Sequence, residues 1–177
     1  WIWLNQSRFN EYQETQIDWR NNPGYKKQYK ALFRKSFNLT ELPNQVILSI
    51  TADVSCRIYI NETFVAQDPA NIGNDYNDGV PPKHWFYNTH NVKKYLQLGT
   101  NTIAVEVYSH SREISETSNG KGMLICDLDD GLNKNIVATD SSWKGTIDTS
   151  FTVNGGNYSC NSNIEVTNWH NKTFDDS

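Results

Sequence analysis

The sequence predicts an all-β fold, a jelly-roll-like sandwich of two antiparallel sheets. Short segments rich in β-branched and aromatic residues recur along the chain, and several of them alternate between apolar and polar positions. Turn residues separate these segments at intervals of roughly 8–12 residues, a spacing typical of sandwiches and barrels. Because alternation turns one side of each strand toward a core, we expect two sheets that bury a shared apolar layer.

The 177-residue length suits one domain, or one domain with extensions, and it is sufficient to bury a sizeable core. We expect a single β-sandwich domain over residues 1–177. Within it, residues 1–28 are expected to form an N-terminal extension that packs on the sandwich, and residues 145–177 an irregular C-terminal segment. Residue 1 is Trp rather than Met and no signal peptide precedes it, so we expect a processed form or an excised module.

The alternating segments predict a series of strands and one helical turn. The predicted strands are 29–37, 45–51, 55–60, 63–66, 84–88, 101–109, 121–128 and 134–138. A short helical turn is predicted at 92–96, ended by Gly99. In segment 101–109 the apolar residues alternate, which places Glu106 and Tyr108 on the face opposite to the core.

The stretch CRIYINETFVA, residues 56–66, predicts a tight hairpin. The apolar residues of 56–60 share one face, and Phe64 is expected to face the same core from the next strand. Asn61 and Glu62 then form the tip. Asn tolerates a positive φ, whereas Glu is unfavourable where a type I′ turn prefers Gly, so the turn is either strained or longer than two residues. We expect Asn61 to be exposed at this tip.

Charge and hydropathy exclude two classes of partner. The formal net charge is −4 and the basic residues are scattered, so the sequence predicts no nucleic-acid surface. No apolar run approaches the roughly 20 residues of a membrane span. We expect an extracellular or secreted protein, periplasmic or on the cell surface if the source is bacterial.

The cysteine count is odd, and two alternatives stay open: one disulfide with one free thiol, or three buried thiols. The candidates for the pair are Cys56, Cys126 and Cys160. No Cys or His spacing suggests zinc. Five N-x-[ST] sequons are candidates for N-glycosylation if the protein passes through a eukaryotic secretory pathway. They begin at Asn5, Asn38, Asn61, Asn157 and Asn171. In a bacterial protein they would carry no glycan, and a chain this rich in Asn, Ser and Thr contains some by chance.

Seven short motifs occur in a characteristic order. They are WIW at 1–3, FRKSF at 33–37, IYINETFV at 58–65, YNTHNVKKYL at 87–96, LQLGTNTIAVEVY at 96–108, TDSSWK at 139–144 and NWHNKTFDDS at 168–177. In this order they resemble the N-terminal β-sandwich domain of the bacterial α-L-rhamnosidase family, which is related to the sugar-binding jelly roll of β-galactosidase-type glycosidases. The resemblance covers most of the chain and implies a galactose-binding-like sandwich.

The sequence departs from that family at two places. Glu62 stands where the family has a turn glycine, and NGGNYSCNSNIEVTN (154–168) replaces an acidic and aromatic segment. The second departure puts docking to a catalytic domain in doubt. The family's catalytic (α/α) barrel would require a much longer chain than this one.

Three loops are long for a compact β domain, and such loops are usually functional or disordered. They are 67–83, 109–120 and 152–163. Sugar binding needs an aromatic face and planar polar side chains, and the first two loops and the strands beside them supply both. The candidate sugar-binding residues are Asn74, Asp75, Tyr76, Asn77, Asp78, Trp85, Tyr87, His110, Arg112 and Glu113. Trp85 and Tyr87 lie on a predicted strand, so core packing is the alternative for both.

The run 74–79 also offers closely spaced oxygen atoms of the kind that Ca²⁺ binds, with Asp75, Asn77 and Asp78 as the candidate ligands. The alternative is an Asx-rich turn that caps itself. Calcium is the one candidate cofactor, and some rhamnose-binding modules similar to this domain use it.

No self-contained catalytic site is predicted, and the chain is not expected to be an enzyme. Loop carboxylates such as Asp75, Asp78, Glu113 and Glu116 could be paired for glycoside hydrolysis, but acidic loop residues are usually only solvated. The hydrolase, metalloprotease and phosphate-loop motifs do not occur.

The leading hypothesis is a non-catalytic carbohydrate-binding module of an extracellular glycan-active or glycan-binding protein. One alternative is a structural or adhesive secreted N-glycoprotein, a subunit of an extracellular assembly. Another is a fragment of a glycoside hydrolase that lacks its catalytic domain. The expected partners are carbohydrate and, through the aromatic ends of the chain, neighbouring domains or copies of the same chain.

Overall fold

A computed structural model describes residues 28–69, 71–73, 84–110, 113–114, 118–119, 122–132, 134–154 and 157–176. The strands in chain order are β1 (Gln28–Leu39), β2 (Ile47–Ala52), β3 (Ser55–Ile60), β4 (Thr63–Pro69), β5 (Asn71–Gly73), β6 (His84–Phe86), β7 (Asn88–Asn91), β8 (Gly99–His110), β9 (Glu113–Ile114), β10 (Ser118–Asn119), β11 (Leu124–Asp129), β12 (Asn135–Ala138), β13 (Lys144–Ile147), β14 (Phe151–Asn154) and β15 (Asn157–Cys160). A 3₁₀ turn, Lys93–Tyr95, lies between β7 and β8.

Two antiparallel sheets form the body of the molecule. A five-stranded sheet has the order β13-β1-β8-β3-β4, and a four-stranded sheet has the order β12-β11-β2-β7. Two-stranded ribbons β5-β6, β9-β10 and β14-β15 are attached to them. The predicted all-β sandwich is confirmed, and most predicted strands lie within a few residues of their observed bounds.

The hydrophobic core fills the space between the two sheets. Inward side chains of β2 and β3 such as Leu48, Ile50, Ile58 and Ile60 are fully buried there. Burial of one such aliphatic side chain contributes about 1.5–3 kcal/mol of hydrophobic free energy. On β3 and β11 buried and less buried residues alternate, as the sequence pattern predicts.

The five-stranded sheet carries a second layer on its outer face. The C-terminal strap (residues 164–176) crosses this face and forms a small apolar cluster in which Trp169 packs with Leu32 and Ala104. Because the strap covers the outer side of β8 as well, residues 101–105 are all buried and the alternation is lost there.

Arg34 on β1 holds the strap in place. Its side chain is buried, and its guanidinium donates hydrogen bonds to the carbonyl oxygens of Asn171 at 2.9 Å and Phe174 at 3.0 Å. It also pairs with the carboxylate of Asp176 and lies 5.4 Å from the centre of the Phe174 ring. The motifs FRKSF and NWHNKTFDDS, which are far apart in the sequence, therefore meet on this face.

Two expectations about secondary structure are wrong in part. Residues 145–177 are not uniformly irregular, because most of β13 and the ribbon β14-β15 lie within them. These strands escaped prediction because β13 is largely exposed and shows no apolar alternation. The single strand expected at 84–88 is two strands, since β6 pairs with β5 whereas β7 pairs with β2. The expected extension at residues 1–28 lies outside the described residues, except for Gln28.

The expected core position of Phe64 is also wrong. Phe64 pairs with Tyr59 across the hairpin, and cross-strand partners share a face, so its side chain points outward with Tyr59. Half of the side chain is exposed, at 50%, and its ring lies 5.7 Å from the Tyr59 ring. A register shift between Ile58 and Tyr59 adds one residue to β4, which keeps the inward positions in phase beyond it.

The hairpin tip is the predicted two-residue turn. Asn61 and Glu62 both have positive φ, at 47° and 72°, which is the type I′ pattern. The expectation that Asn61 is exposed is wrong, because its side chain turns inward. Its amide donates to the Tyr95 carbonyl at 2.8 Å and to Asn101 Oδ1 at 2.7 Å, and its Oδ1 accepts from the Thr102 amide at 3.0 Å. An N-linked glycan would displace one of these donated bonds.

Asn101 at the start of β8 is fully buried, and its amide group is saturated. Its Nδ2 donates to the carbonyls of Gln97 at 2.8 Å and Gly99 at 2.9 Å. Its Oδ1 accepts from the Gln97 amide at 2.9 Å and from Asn61. The turn before β8 and the tip of the β3-β4 hairpin are thus joined through one side chain. This explains the Asn in the motif LQLGTN, where Gly99 supplies the positive φ of 84° that such a tight turn needs.

All three cysteines lie in the described part of the chain, and all three are free thiols. Burial raises the pKa of the Cys56 thiol to about 12, and burial likewise raises the pKa of Cys126. Both therefore behave as small apolar core residues. The alternative of one disulfide is wrong in this structure, in which Cys56 and Cys126 are unpaired in the core and Cys160 is a free thiol on the surface. The alternative of three buried thiols fails for the same exposed residue.

We predict that Asn101→Ala lowers the free energy of unfolding by roughly 3 kcal/mol or more, since it leaves several buried polar groups without partners at about 1–3 kcal/mol each. Urea unfolding followed by tryptophan fluorescence measures the change. Thr100→Ala, at an exposed neighbouring position, is the control and should change stability by less than about 0.5 kcal/mol. Equal losses in the two variants would contradict the structural role of Asn101.

We predict that Glu62→Gly raises the free energy of unfolding by up to about 1 kcal/mol, because Gly adopts a positive φ without the steric penalty of a Cβ atom. Thermal unfolding measures the shift. Thr63→Gly is the matched control on the adjacent strand residue, and it should lower stability by roughly 0.5–1 kcal/mol. A loss of stability in Glu62→Gly would show that the Glu62 side chain contributes more than the strain removes.

Candidate functional site

The outer face of the five-stranded sheet contains an open groove beside the C-terminal strap. We call it the sheet groove; its volume is about 380 Å³. Its lining residues are Lys30, Ser55, Cys56, Arg57, Gln67, Glu106, Tyr108 and Phe151. This volume lies in the range of roughly 300–1,000 Å³ that is typical of small-molecule sites.

Strand register brings the groove residues together. One cross-strand row aligns Lys30 with Tyr108 and Tyr108 with Ser55, and a second row aligns Glu106 with Arg57 and Arg57 with Gln67. Since alternate residues point to opposite faces, both rows lie on the side away from the core. The predicted outward orientation of Glu106 and Tyr108 is confirmed.

The polar groups of the groove form a chain of alternating charge. Lys30 Nζ lies 3.2 Å from a carboxylate oxygen of Asp148 and 3.2 Å from one of Glu106. Glu106 in turn lies 3.6 Å from Arg57 Nη1, and Arg57 Nε donates to Gln67 Oε1 at 3.0 Å. This row of charged groups therefore begins at the buried carboxylate of Asp148 and ends at the half-exposed guanidinium of Arg57.

The Lys30 ammonium of the groove is held between two carboxylates. Burial lowers the pKa of Lys30, but the carboxylates of Glu106 and Asp148 outweigh this effect and the pKa is raised. Lys30 is therefore positively charged at neutral pH and is held between two anions. Asp148 is further fixed by Ser150, whose amide and hydroxyl donate to it at 3.0 Å and 2.5 Å.

Aromatic rings line one side of the groove. Phe151, the first residue of β14, meets the Tyr108 ring edge to face at a centroid distance of 5.8 Å. Lys30 Nζ lies 5.5 Å from the centre of the Phe151 ring. The groove thus combines apolar ring surface with guanidinium, carboxylate and amide groups in one depression.

The predicted sugar-binding residues lie at one end of the sandwich, as far as they are described. Tyr87 is not a core residue, since 64% of its side chain is exposed, and Phe86 beside it is 62% exposed. For Trp85, His110 and Glu113 the structure gives only the strand position, on β6, β8 and β9. The run Asn74, Asp75, Tyr76, Asn77 and Asp78 lies outside the described residues, as does Arg112.

The groove is adjacent to that end of the sandwich. Ser55 pairs with Pro69, the last residue of β4, and Tyr108 is two residues before the end of β8. The chain leaves these two strand ends toward β5-β6 and toward β9-β10. The sheet groove therefore lies near the strand ends from which the chain continues into β5-β6 and β9-β10.

The candidate calcium ligands Asp75, Asn77 and Asp78 fall outside the described residues, so calcium binding stays a prediction. Among the residues that the structure does describe, no three His, Cys, Asp or Glu side chains are grouped as a metal site would require. No helix in the described ranges has the length and apolar character needed to cross a bilayer.

The sequons differ in accessibility. Asn38 is exposed near the end of β1, whereas Asn61 is engaged in the hydrogen bonds of the hairpin tip. Asn171 is half-buried, and its carbonyl is bonded to Arg34. Asn157 begins β15, and Asn5 lies outside the described residues.

Sequence reasoning missed Lys30, Arg57, Gln67 and Phe151. Lys30 and Arg57 are the cross-strand partners of Tyr108 and Glu106, whose outward orientation was predicted, and Gln67 is the partner of Arg57. Knowledge of strand pairing would therefore have identified all three. Phe151 lies in the segment that was expected to be irregular, and its sequence surroundings give no sign of a binding role.

A larger groove of about 610 Å³ lies at the opposite end of the sandwich. It is formed by the loop 38–45 and the turn 130–136, and it presents the exposed side chains of Leu42 and Leu132. None of its described lining residues is aromatic, and the ion pair between Glu41 and Lys134, at 3.9 Å, is solvent-exposed. The sheet groove is therefore the better candidate for recognition of a polar ring-shaped ligand.

The chain matches no protein-family model and no curated protein sequence. Among solved structures it is similar to part of the GH78 family rhamnosidase of Bacillus sp. GL1, with a TM-score of 0.67 and 23% identity over 85% of this chain and 16% of that one. It is similar to the α-L-rhamnosidase from Dictyoglumus thermophilum, with a TM-score of 0.66 and 22% identity over 89% of this chain and 18% of that one.

The α-L-rhamnosidase from Aspergillus terreus gives a TM-score of 0.62 and 23% identity over 83% of this chain and 18% of the enzyme. The chain thus spans 16–18% of the length of these three enzymes. At such identities the likeness establishes the fold, and the β-sandwich implied by the seven motifs is a sandwich that occurs within α-L-rhamnosidases.

Proposed function

We propose that the chain is a non-catalytic carbohydrate-binding module of an extracellular glycan-active or glycan-binding protein, and that the sheet groove is its binding site. The observation that carries this proposal is the joint presence of an aromatic wall and a row of planar polar side chains in one open depression. The likeness to part of the α-L-rhamnosidases supports it at the level of fold.

The chemistry of the groove suits a sugar ring. The C–H groups on one face of a pyranose pack on an aromatic ring, and Phe151 with Tyr108 supplies such a surface. The hydroxyl groups around the ring need donors and acceptors at fixed positions, which Arg57, Glu106 and Gln67 offer. Strand pairing holds these groups in place, so a ligand would meet a largely preformed site.

The proposed module would serve a larger protein rather than act by itself. The chain corresponds to less than one fifth of each similar enzyme, which favours an accessory domain over a complete hydrolase. Leu42, Leu98 and Leu132 are exposed at the end of the sandwich opposite the groove, and they would suit contact with a neighbouring domain. Secretion is part of the proposal, and the exposed sequon at Asn38 is compatible with it.

We predict that the protein binds a sugar in a calorimetric titration against a panel that includes L-rhamnose, and that Phe151→Ala weakens this binding about five- to tenfold. Loss of ring contact corresponds to roughly 1–1.4 kcal/mol. Phe64→Ala is the control, because it removes a half-exposed aromatic ring of the five-stranded sheet that lies outside the groove.

Two outcomes would contradict the proposed site. Equal affinity in native protein and Phe151→Ala, with a loss in Tyr87→Ala, would move the site to the loop end. Binding that disappears when Ca²⁺ is chelated would place it at residues 74–79. If no sugar of the panel binds, the hypothesis of a structural or adhesive glycoprotein would replace that of a carbohydrate-binding module.

A further inference from the structure

We infer that the sheet groove selects a carboxylate-bearing sugar, a uronic acid residue, and that Arg57 is the residue that recognises its carboxylate. This inference rests on the proposed carbohydrate-binding function and narrows it to a class of ligand. It follows from the order and accessibility of the charges in the groove.

The charged side chains form a row of contacts from Asp148 through Lys30 and Glu106 to Arg57. Their signs alternate, so each inner charge lies between two partners of opposite sign. Lys30 and Glu106 have side-chain exposures of only 16% and 15% and neutralise one another. Asp148, at the inner end, has an exposure of 3%. Arg57 forms the outer end and is 50% exposed. The charge that an incoming ligand meets is therefore positive.

The guanidinium of Arg57 is oriented but not saturated. Its Nε donates to Gln67 Oε1, which fixes the plane of the group, and Glu106 lies beside Nη1 at 3.6 Å. Within the described part of the chain, the four remaining N–H groups on the terminal nitrogens donate no hydrogen bond. A planar pair of donors of this kind matches the two oxygens of a carboxylate.

The neighbouring groups restrict which anion fits. Lys30 is already shared by two carboxylates, so Arg57 is the one accessible cation among the lining residues that the structure describes. One such cation suits one carboxylate better than a densely sulfated chain. Phe151 and Tyr108 provide ring surface in the same depression, so the anion is expected to be attached to a pyranose rather than to be a free ion. A sugar acid satisfies both conditions.

The test compares binding of galacturonic acid and glucuronic acid oligomers with binding of the corresponding neutral galactose and glucose oligomers, by calorimetry at low ionic strength. We expect the uronic acid ligands to bind at least roughly tenfold more tightly, because the Arg57 guanidinium would donate charge-assisted hydrogen bonds to their carboxylate. Arg57→Gln should remove this preference, so that the uronic and the neutral oligomers bind the variant with similar affinity.

Lys144→Gln is the matched control, since it removes an exposed positive charge on β13 of the same sheet but outside the groove. It should leave the preference intact, and a preference that falls equally in both variants would show a general charge effect and overturn the role of Arg57. Circular dichroism verifies that each variant is folded. Arg57→Lys should recover part of the affinity, as a point charge without the planar donor pair.

The experiment separates a failure of the uronic acid inference from a failure of the proposed carbohydrate-binding function. Equal affinity for uronic and neutral oligomers overturns the inference and leaves the proposed function standing. Tighter binding of a sulfated oligomer than of the uronic acid overturns the assignment to a carboxylate. Absence of binding to every oligomer, charged or neutral, overturns the proposed function itself.

Discussion

The saturated amide of Asn101 is the interaction on which the geometry of the five-stranded sheet depends. A primary amide has two donors and two acceptor positions, and all four are used within the protein. They tie the start of the central strand β8 to the turn before it and to the tip of the β3-β4 hairpin. Since the side chain is fully buried, any slip of these strands would leave polar groups unpaired in an apolar surrounding.

The strand register fixed near Asn101 determines which side chains lie on the outer face at the other end of the sheet. β8 pairs with β1 along its whole length and with β3 over six residues, so the alignment of the pairs near Asn101 is carried through to Tyr108 and Glu106. A shift of one residue would exchange the inward and outward faces and remove the groove. The strap uses the same outer face, and Arg34 holds it over the apolar part while the polar part stays open. Core, strap and groove are three consequences of one alignment.

The fold was largely predictable, and the site was not. Alternation in 55–60 and 101–109 marks strands with a buried face, and a two-residue tip with Asn first predicts a type I′ turn; both features are local. The groove depends on which strands are neighbours, and the sequence does not encode pairing locally. Arg57 and Glu106 are far apart in the chain and become partners only through the β3-β8 ladder. The inward turn of Asn61 was missed for the same reason, because its partner Asn101 is supplied by another strand. The wrong prediction for Phe64 has a different cause. The face to which a residue of β4 points is set by its partner across the hairpin, counted from the tip, and Phe64 is the partner of the outward Tyr59.

The attachment of the strap also determines how the molecule would carry mechanical load. The bonds from Arg34 to the backbone at Asn171 and Phe174, together with its ion pair to Asp176, connect the last described residues to β1, an interior strand of the sheet. Tension applied at the C-terminal side would therefore be transmitted first to this cluster of charge-assisted bonds and through it to the widest sheet. The two-stranded ribbon β14-β15, which lies earlier in the chain and would open strand by strand under tension, is shielded behind that anchor for as long as Arg34 holds.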